Sequence, residues 1–248
     1  MGVLTELYRR WLVARHKPRH WLLRPGTIDR RLFRTVAVEN EYRLPRRLAR
    51  TDLVLDVGAH VGSFAHAALK RGAGTVCCCE ADPDNFRLLR HNLAPYRERV
   101  RLLSGAVWRS DRAVTRLPFG NPVDRRNTGA GRVAGRREQT VPALPFDELV
   151  EEVTDGSMRR VRLLKLDCEG SEWPILLTSR TLDRIDAICG EYHLGRFPEL
   201  FHVNGCEDFW PALLDDFLGE QGFRVRIQPS PREPDRLGLF FADRRQRP

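Results

Sequence analysis

Short apolar runs that end in an acid recur along this chain. Leu53-Val54-Leu55 ends at Asp56, Thr75 to Cys79 ends at Glu80, and the run from Val161 ends at Asp167. A strand buried on both faces needs such a run, because helices above and below the sheet leave no position facing water. The pattern predicts strands near 52–56, 75–80, 100–104, 161–167 and 186–192. A helix is expected from about Val61 to Arg71, and another opens with Asp82 as N-cap and Pro83 at the first helical position. Strands alternating with helices make an α/β fold, a parallel sheet covered on both faces. After a helix near Glu207 to Leu218, the runs Phe223 to Ile227 and Leu237 to Ala242 leave no room for a helical crossover. They are expected to pair as an antiparallel hairpin.

At 248 residues the chain can bury a full core. The expected organisation is an N-terminal helical extension or cap over 1–45 and a main domain over 46–248. Within the latter, 119–137 turns polar, with Gly120, Gly129, Gly131 and Gly135 among arginines, and reads as a mobile surface loop, either a substrate lid or a solvated excursion. The net charge of +9 is carried almost wholly by arginine, since Lys17, Lys70 and Lys165 are the only lysines. An Arg-, Ala-, Gly- and Pro-rich composition accounts for that charge without a nucleic-acid partner. Cys77, Cys78 and Cys79 are consecutive and Cys168, Cys189 and Cys206 stand singly, which is neither a zinc spacing nor a disulfide framework; buried thiols in a reducing cytoplasm are expected. No apolar run approaches the ~20 residues of a membrane span. Leu4 to Val13 reads as a short basic amphipathic helix, expected to pack on its own domain or on a partner protomer in a homo-oligomer rather than to touch a membrane.

The turn after the first strand, Asp56-Val-Gly-Ala-His-Val-Gly62, carries the most chemistry. Gly58 is expected where backbone passes close to a ligand, and Gly62 where the next helix packs on the sheet. The dinucleotide fingerprint has a third glycine between these two; here that space holds Ala59, His60 and Val61, so a pyrophosphate is not the expected guest. The Asp56 carboxylate suits a cation, and Glu80, 24 residues on, can accept both hydroxyls of a ribose. Asp167 and Glu169, and then Glu191 and His193, end the next two strands at the same rim. Lys165 and Asp167 share a face by the two-residue period, as site residues or as an ion pair holding the fold.

With these residues laid out, the chain resembles the FkbM family of S-adenosylmethionine-dependent methyltransferases from about Pro25 to Leu194. The likeness is carried by Asp56-Val-Gly-Ala-His-Val-Gly62, by Glu80-Ala-Asp-Pro83 with Asn85, Leu88 and Asn92-Leu93, by Leu164-Lys-Leu-Asp-Cys-Glu-Gly-Ser-Glu172 and by Glu191-Tyr-His193. Pro25-Gly-Thr27, Asp29, Glu41-Tyr42 and Asn127-Thr-Gly129 fit as well. The resemblance implies a class I methyltransferase (Rossmann-like) fold, a seven-stranded, mostly parallel sheet with a C-terminal antiparallel hairpin. It puts Asp56, Gly58 and Gly62 around the methionine half of S-adenosyl-L-methionine and Glu80 on its ribose, with Ala59, His60 and Ala81 beside them. Ser104, Gly105 and Ala106 would border adenine. His60 stands where the family more often has asparagine. The acceptor implied is a hydroxyl of a sugar or natural-product small molecule.

An alcohol attacks a sulfonium methyl only when a base takes its proton, and His193 is the expected base. Glu191 or Asp167 would orient it or the substrate, and Lys165 with Glu169 would shape the local field. The same Asp167, Glu169, Glu191 and His193 offer ligands for Mg²⁺. Two other functions stay open: an RNA or nucleotide methyltransferase using the arginines of 119–137, and a non-catalytic methyltransferase-fold binding partner. The missing glycine weakens a nicotinamide-dependent oxidoreductase.

Overall fold

A computed structural model of the chain describes residues 3–120, 124, 126–135, 138–156 and 158–245. Seven strands form the main sheet: β1 (Leu53–Val57), β2 (Thr75–Glu80), β3 (Val100–Ser104), β8 (Val161–Leu166), β9 (Ala187–His193), β10 (Phe223–Pro229) and β11 (Leu237–Arg244). Their order is β10-β11-β9-β8-β1-β2-β3. The five strands from β9 to β3 run parallel, and β11 pairs antiparallel with both β9 and β10. This is the sheet the resemblance implies, hairpin included.

Side-chain alternation explains why the runs are continuously apolar. Leu53, Leu55 and Val57 of β1 pack on one face against α5 (Phe146–Val153), α6 (Glu172–Thr178) and α7 (Pro211–Glu220). Val54, on the other face, joins residues of α3 (Ser63–Lys70), α4 (Pro83–Leu93) and the N-terminal segment. With a helical layer on each face, neither parity of position can be polar without a partner. α4 begins as expected, the Asp82 carboxylate accepting from the backbone N–H groups of Asp84 and Asn85 at 2.8 Å each.

Each of the two glycines of the first turn allows a close approach that a side chain would block. Gly58 has φ +76, and a Cβ there would lie 1.9 Å from the carbonyl oxygen of Asp167, so the backbone here passes close to the neighbouring strand end. Gly62 has φ +95, and a Cβ there would press on Leu89 and Leu93 of α4, while the helix that follows it lies on β1 and β2 of the sheet.

The N-terminal segment forms α1 (Val3–His16) and α2 (Asp29–Leu32), which runs on into a π-helical turn, Phe33–Val38. α1 rests on that turn. A second, four-stranded sheet comprises β4 (Ala106–Trp108), β5 (Arg116–Gly120), β6 (Arg132–Val133) and β7 (Glu138–Pro145), in the order β4-β7-β5-β6. The stretch 119–137, read from sequence as a loop, therefore contributes strand residues at Phe119-Gly120 and Arg132-Val133, with Phe119 and Val133 buried. Gly120 and Gly135 sit backbone to backbone, where a Cβ on either would meet the other's main chain at 2.3 Å.

Candidate active site

A cleft of about 630 Å³, its open mouth included, lies at the carboxyl edge of β1, β2 and β8. Ligands in open α/β sheets bind at this edge. Gly58, His60, Glu80, Ala81, Gly105, Ala106, Asp167 and Glu169 border it, so eight of the fifteen residues singled out from sequence meet there. Leu32, Phe119 and Val133 add an apolar wall from the N-terminal segment and the second sheet, contributions that no local pattern marks.

Asp56 does not border the cleft; Val57, pointing to the opposite face of β1, does. Asp56 is fully buried and directly opposite Lys165 in the β1–β8 register, with its Oδ1 at 3.4 Å from the ammonium. Lys165 Nζ also donates to the carbonyls of Gly58 (2.6 Å) and Val57 (3.2 Å) and lies 3.7 Å from Asp167 Oδ2. Burial works against charge on Lys165, but Asp56 and Asp167 outweigh it and hold the ammonium above its usual pKa. Burial pushes the Asp56 carboxyl up while Lys165 pulls it back. At 3.4 Å the two groups form a buried ion pair. The pair ties β8 to the turn after β1, and Asp56 acts on the cleft through that turn.

Glu80 borders the cleft with its carboxylate accepting from the backbone N–H of His60 (2.7 Å) and of Asp82 (2.8 Å). His60, the donor of the first contact, has a left-handed backbone with φ +52. Burial nonetheless raises the Glu80 pKa to about 7. Hydroxyl donors reaching this carboxylate would stabilise its charged form.

The His60 side chain turns away from Glu80 into a polar clasp. Its Nε2 lies 3.0 Å from Thr128 Oγ1 and 3.5 Å from the buried carboxylate of Asp29. Thr128 Oγ1 donates to Asp29 Oδ1 at 2.6 Å, and Arg24 grips Asp29 through Nε and Nη2 at 2.9 and 3.0 Å. Asn85 completes the clasp, accepting from Arg24 at 2.6 Å and donating to the Thr128 carbonyl at 2.9 Å. Burial, with Asp29 opposing it, lowers His60 to about 4, so the ring is neutral at pH 7. The clasp joins the N-terminal segment, the first turn, α4 and the 126–131 stretch around one end of the cleft. Sequence reading named Asp29, Asn85 and Thr128 as family matches but gave none of them, or Arg24, a role.

At the other end stand Asp167, Glu169, Glu191 and His193. Glu169 is left-handed at φ +57, in a turn held by Glu172, whose carboxylate accepts from Cys168 N (2.6 Å) and Gly170 N (2.7 Å). The His193 ring lies between carboxylates: Nε2 is 3.5 Å from Glu191 and 3.6 Å from Glu169, and Nδ1 is 3.4 Å from Glu172. Burial would lower its pKa, but Glu172, Glu191 and Glu169 together hold it well above 6.5. The three carboxylates around the ring favour its protonated form, in which it has no lone pair for an acceptor proton. Glu191 is raised by burial, with His193 drawing it down. Glu169 is raised by burial to about 7. The Tyr42 hydroxyl donates to Asp167 Oδ2 at 2.8 Å. Asp167, Glu169 and His193 each offer one atom within 4.8 Å of the others, which suffices geometrically for a cation once the ring gives up its proton.

The remaining expected residues lie outside the cleft lining. Ala59 is buried and donates its N–H to the Cys79 carbonyl, Gly62 packs on α4, Ser104 is exposed at the end of β3, and Lys165, Glu191 and His193 stand behind Asp167 and Glu169.

A seven-stranded sheet of this order, with its cleft at the carboxyl edge of the first strands, defines a methyltransferase fold. The Methyltransferase FkbM domain profile matches residues 56–225. The chain belongs to the FkbM methyltransferase family, a family that uses S-adenosylmethionine. Among solved structures it is similar to the FkbM methyltransferase of Methylobacillus flagellatus KT, at 13% identity and TM-score 0.48 over 96% of this chain and 59% of that one. It is also similar to a precorrin-6y C5,15-methyltransferase from Geobacter metallireducens GS-15 (11%, TM-score 0.47, 92% and 96% covered). A putative RNA methyltransferase from Pyrococcus horikoshii aligns at 14% and TM-score 0.43 over 98% of both chains. No curated protein matches the sequence.

Proposed function

We propose that the chain moves the methyl group of S-adenosylmethionine to a hydroxyl of a sugar or natural-product small molecule. One observation carries this: the cleft bordered by Gly58, Glu80 and Gly105 runs up against the carboxylates of Asp167 and Glu169, with Glu191 behind them. Such a concentration of acids complements a sulfonium and an ammonium, and it repels a pyrophosphate. Glu80 is the acceptor for the ribose hydroxyls, Gly105 and Ala106 border the base, and the methionine half lies toward Asp167.

Methyl transfer to oxygen is an in-line displacement, and an alcohol needs its proton taken as the new bond forms. Glu169 suits the role of base, since it borders the cleft, its pKa of about 7 matches the working pH, and its left-handed backbone fixes where it points. His193, 3.6 Å away, draws the Glu169 pKa down against the effect of burial. The base thus passes from His193 to its neighbour. Incubation with methyl-labelled S-adenosylmethionine and a panel of glycosides, other alcohols and RNA tests the assignment. Label on an alcohol is expected; label on RNA alone would overturn it.

A metal-assisted variant has one observation in its favour, the convergence of donor atoms from Asp167, Glu169 and His193. It requires His193 to lose its proton, and activity that survives chelation would dismiss it.

A further inference from the structure

α1 contacts its own domain along one side only. Val13 is buried against the N-terminal core, while Leu4, Leu7, Tyr8 and Trp11 are 82, 55, 59 and 51% exposed. Their spacing of three and four residues puts them on one helical face, one above the other. They make up four of the seven large apolar side chains exposed among the described residues, so the stripe is not ordinary surface scatter. Tyr8 and Trp11 stack at 5.9 Å, and the Arg15 guanidinium lies 5.3 Å from the Trp11 ring centroid. Charge around the stripe is one-sided. Glu6 is the only acid among residues 1–20, against Arg9, Arg10, Arg15, Lys17 and Arg19, and Glu6 is paired with Arg10 at 3.2 Å. Of the expectation that this helix packs on its own domain or on a partner protomer, Val13 meets the first part and the stripe does not.

We propose that α1 is a docking face for an anionic lipid surface, lying in the plane of the interface without spanning it. No helix among the described residues is long and apolar enough to cross a membrane. Leucine with tryptophan and tyrosine on one face and arginines alongside is the composition that seats a helix at the boundary between headgroups and acyl chains. Charge separates this occupant from a second copy of the chain. Pairing two stripes would set the net positive charge of residues 9–19 of one copy near that of the other, and like charges across an interface disfavour it. Four side chains also fall short of the roughly 800 Å² per partner that a stable dimer buries. An anionic bilayer gains from every one of those charges.

The test is sedimentation of the full chain with vesicles of phosphatidylcholine alone and of phosphatidylcholine mixed with phosphatidylglycerol, with light scattering on the same samples. Binding to the anionic vesicles is expected, weakening as salt rises. W11E and L7E should each lower it by at least about tenfold, and R15Q with R19Q by about twenty-fivefold at low salt. These side chains are exposed, so thermal midpoints should stay at the wild-type value and rule out misfolding. The proposal is overturned if the wild type ignores anionic vesicles, if W11E and L7E bind as it does, or if scattering shows a dimer that L7E dissociates.

Discussion

The Lys165 ammonium donates a 2.6 Å hydrogen bond to the carbonyl oxygen of Gly58, so a side chain near the carboxyl end of β8 fixes the turn that follows β1. It does so from inside an ion pair with Asp56, two charges closed off from water between two helical layers. The most conspicuous acid of the first motif thereby acts as a structural counterion.

Removing one partner leaves the other charged and buried. Lys165→Met should cost about 3–5 kcal/mol, because it leaves the Asp56 carboxylate buried without its counterion, and Asp56→Ala should cost less, because Asp167 remains 3.7 Å from the ammonium. The combination of Asp56→Leu with Lys165→Met should cost much less than the sum of the two single changes. Urea denaturation of the single and double variants checks this; full additivity would mean that the groups do not interact.

Gly58→Ala should be among the most destabilising single changes in the chain. The new methyl would stand 1.9 Å from the Asp167 carbonyl, which belongs to a strand end and cannot swing away, and the residue would be held at φ +76. Soluble yield and thermal midpoint report it, with Gly26→Ala as the comparison: it shares the backbone strain at φ +72 but has open space around it.

Glu169 as base predicts a pH profile. The carboxylate must be ionised to accept a proton, so kcat/KM should fall about tenfold per pH unit below about 7 and level off above it. Glu169→Gln should lower kcat by about a hundredfold or more and abolish that limb. Stability has the opposite sign. With the folded pKa raised from 4.5 to about 7, the folded chain holds a proton that the unfolded chain releases, so this group's contribution falls as pH rises through that window. Glu169→Gln should flatten the slope.

The main sheet was legible because parallel strands between helices must be apolar throughout, and such runs stand out even without knowledge of the register. The register itself was hidden, and with it the pairing of Asp56 with Lys165. The second sheet escaped because Pro118 lies in β5 and Pro142 and Pro145 lie in β7, and proline argues against a strand wherever it falls. The ring of acids around His193 escaped for a non-local reason: Glu169 and Glu191 were visible at the rim, but the third carboxylate, Glu172, comes from the first turn of α6.

The clasp predicts a kinetic effect. Thr128→Val keeps the shape of the side chain but removes the donor to Asp29 and the partner of His60. A lost hydrogen bond to a charged group should speed release of S-adenosylhomocysteine by about tenfold or more, with the thermal midpoint of the free protein changed little. Stopped-flow displacement measures the rate; an unchanged rate would make the clasp a feature of the fold alone.

The most direct measurement is the thermal unfolding midpoint of the wild type and of Glu80→Ala with S-adenosylmethionine, S-adenosylhomocysteine, NAD or no ligand. At about 100 times the dissociation constant, a ligand specific to the folded state adds about 2.7 kcal/mol, or about 5–10 °C for a domain of this size. A rise with the two adenosyl compounds in the wild type, a much smaller one in Glu80→Ala and none with NAD is the predicted result. A folded wild type that responds to neither adenosyl compound, or to NAD instead, would contradict it.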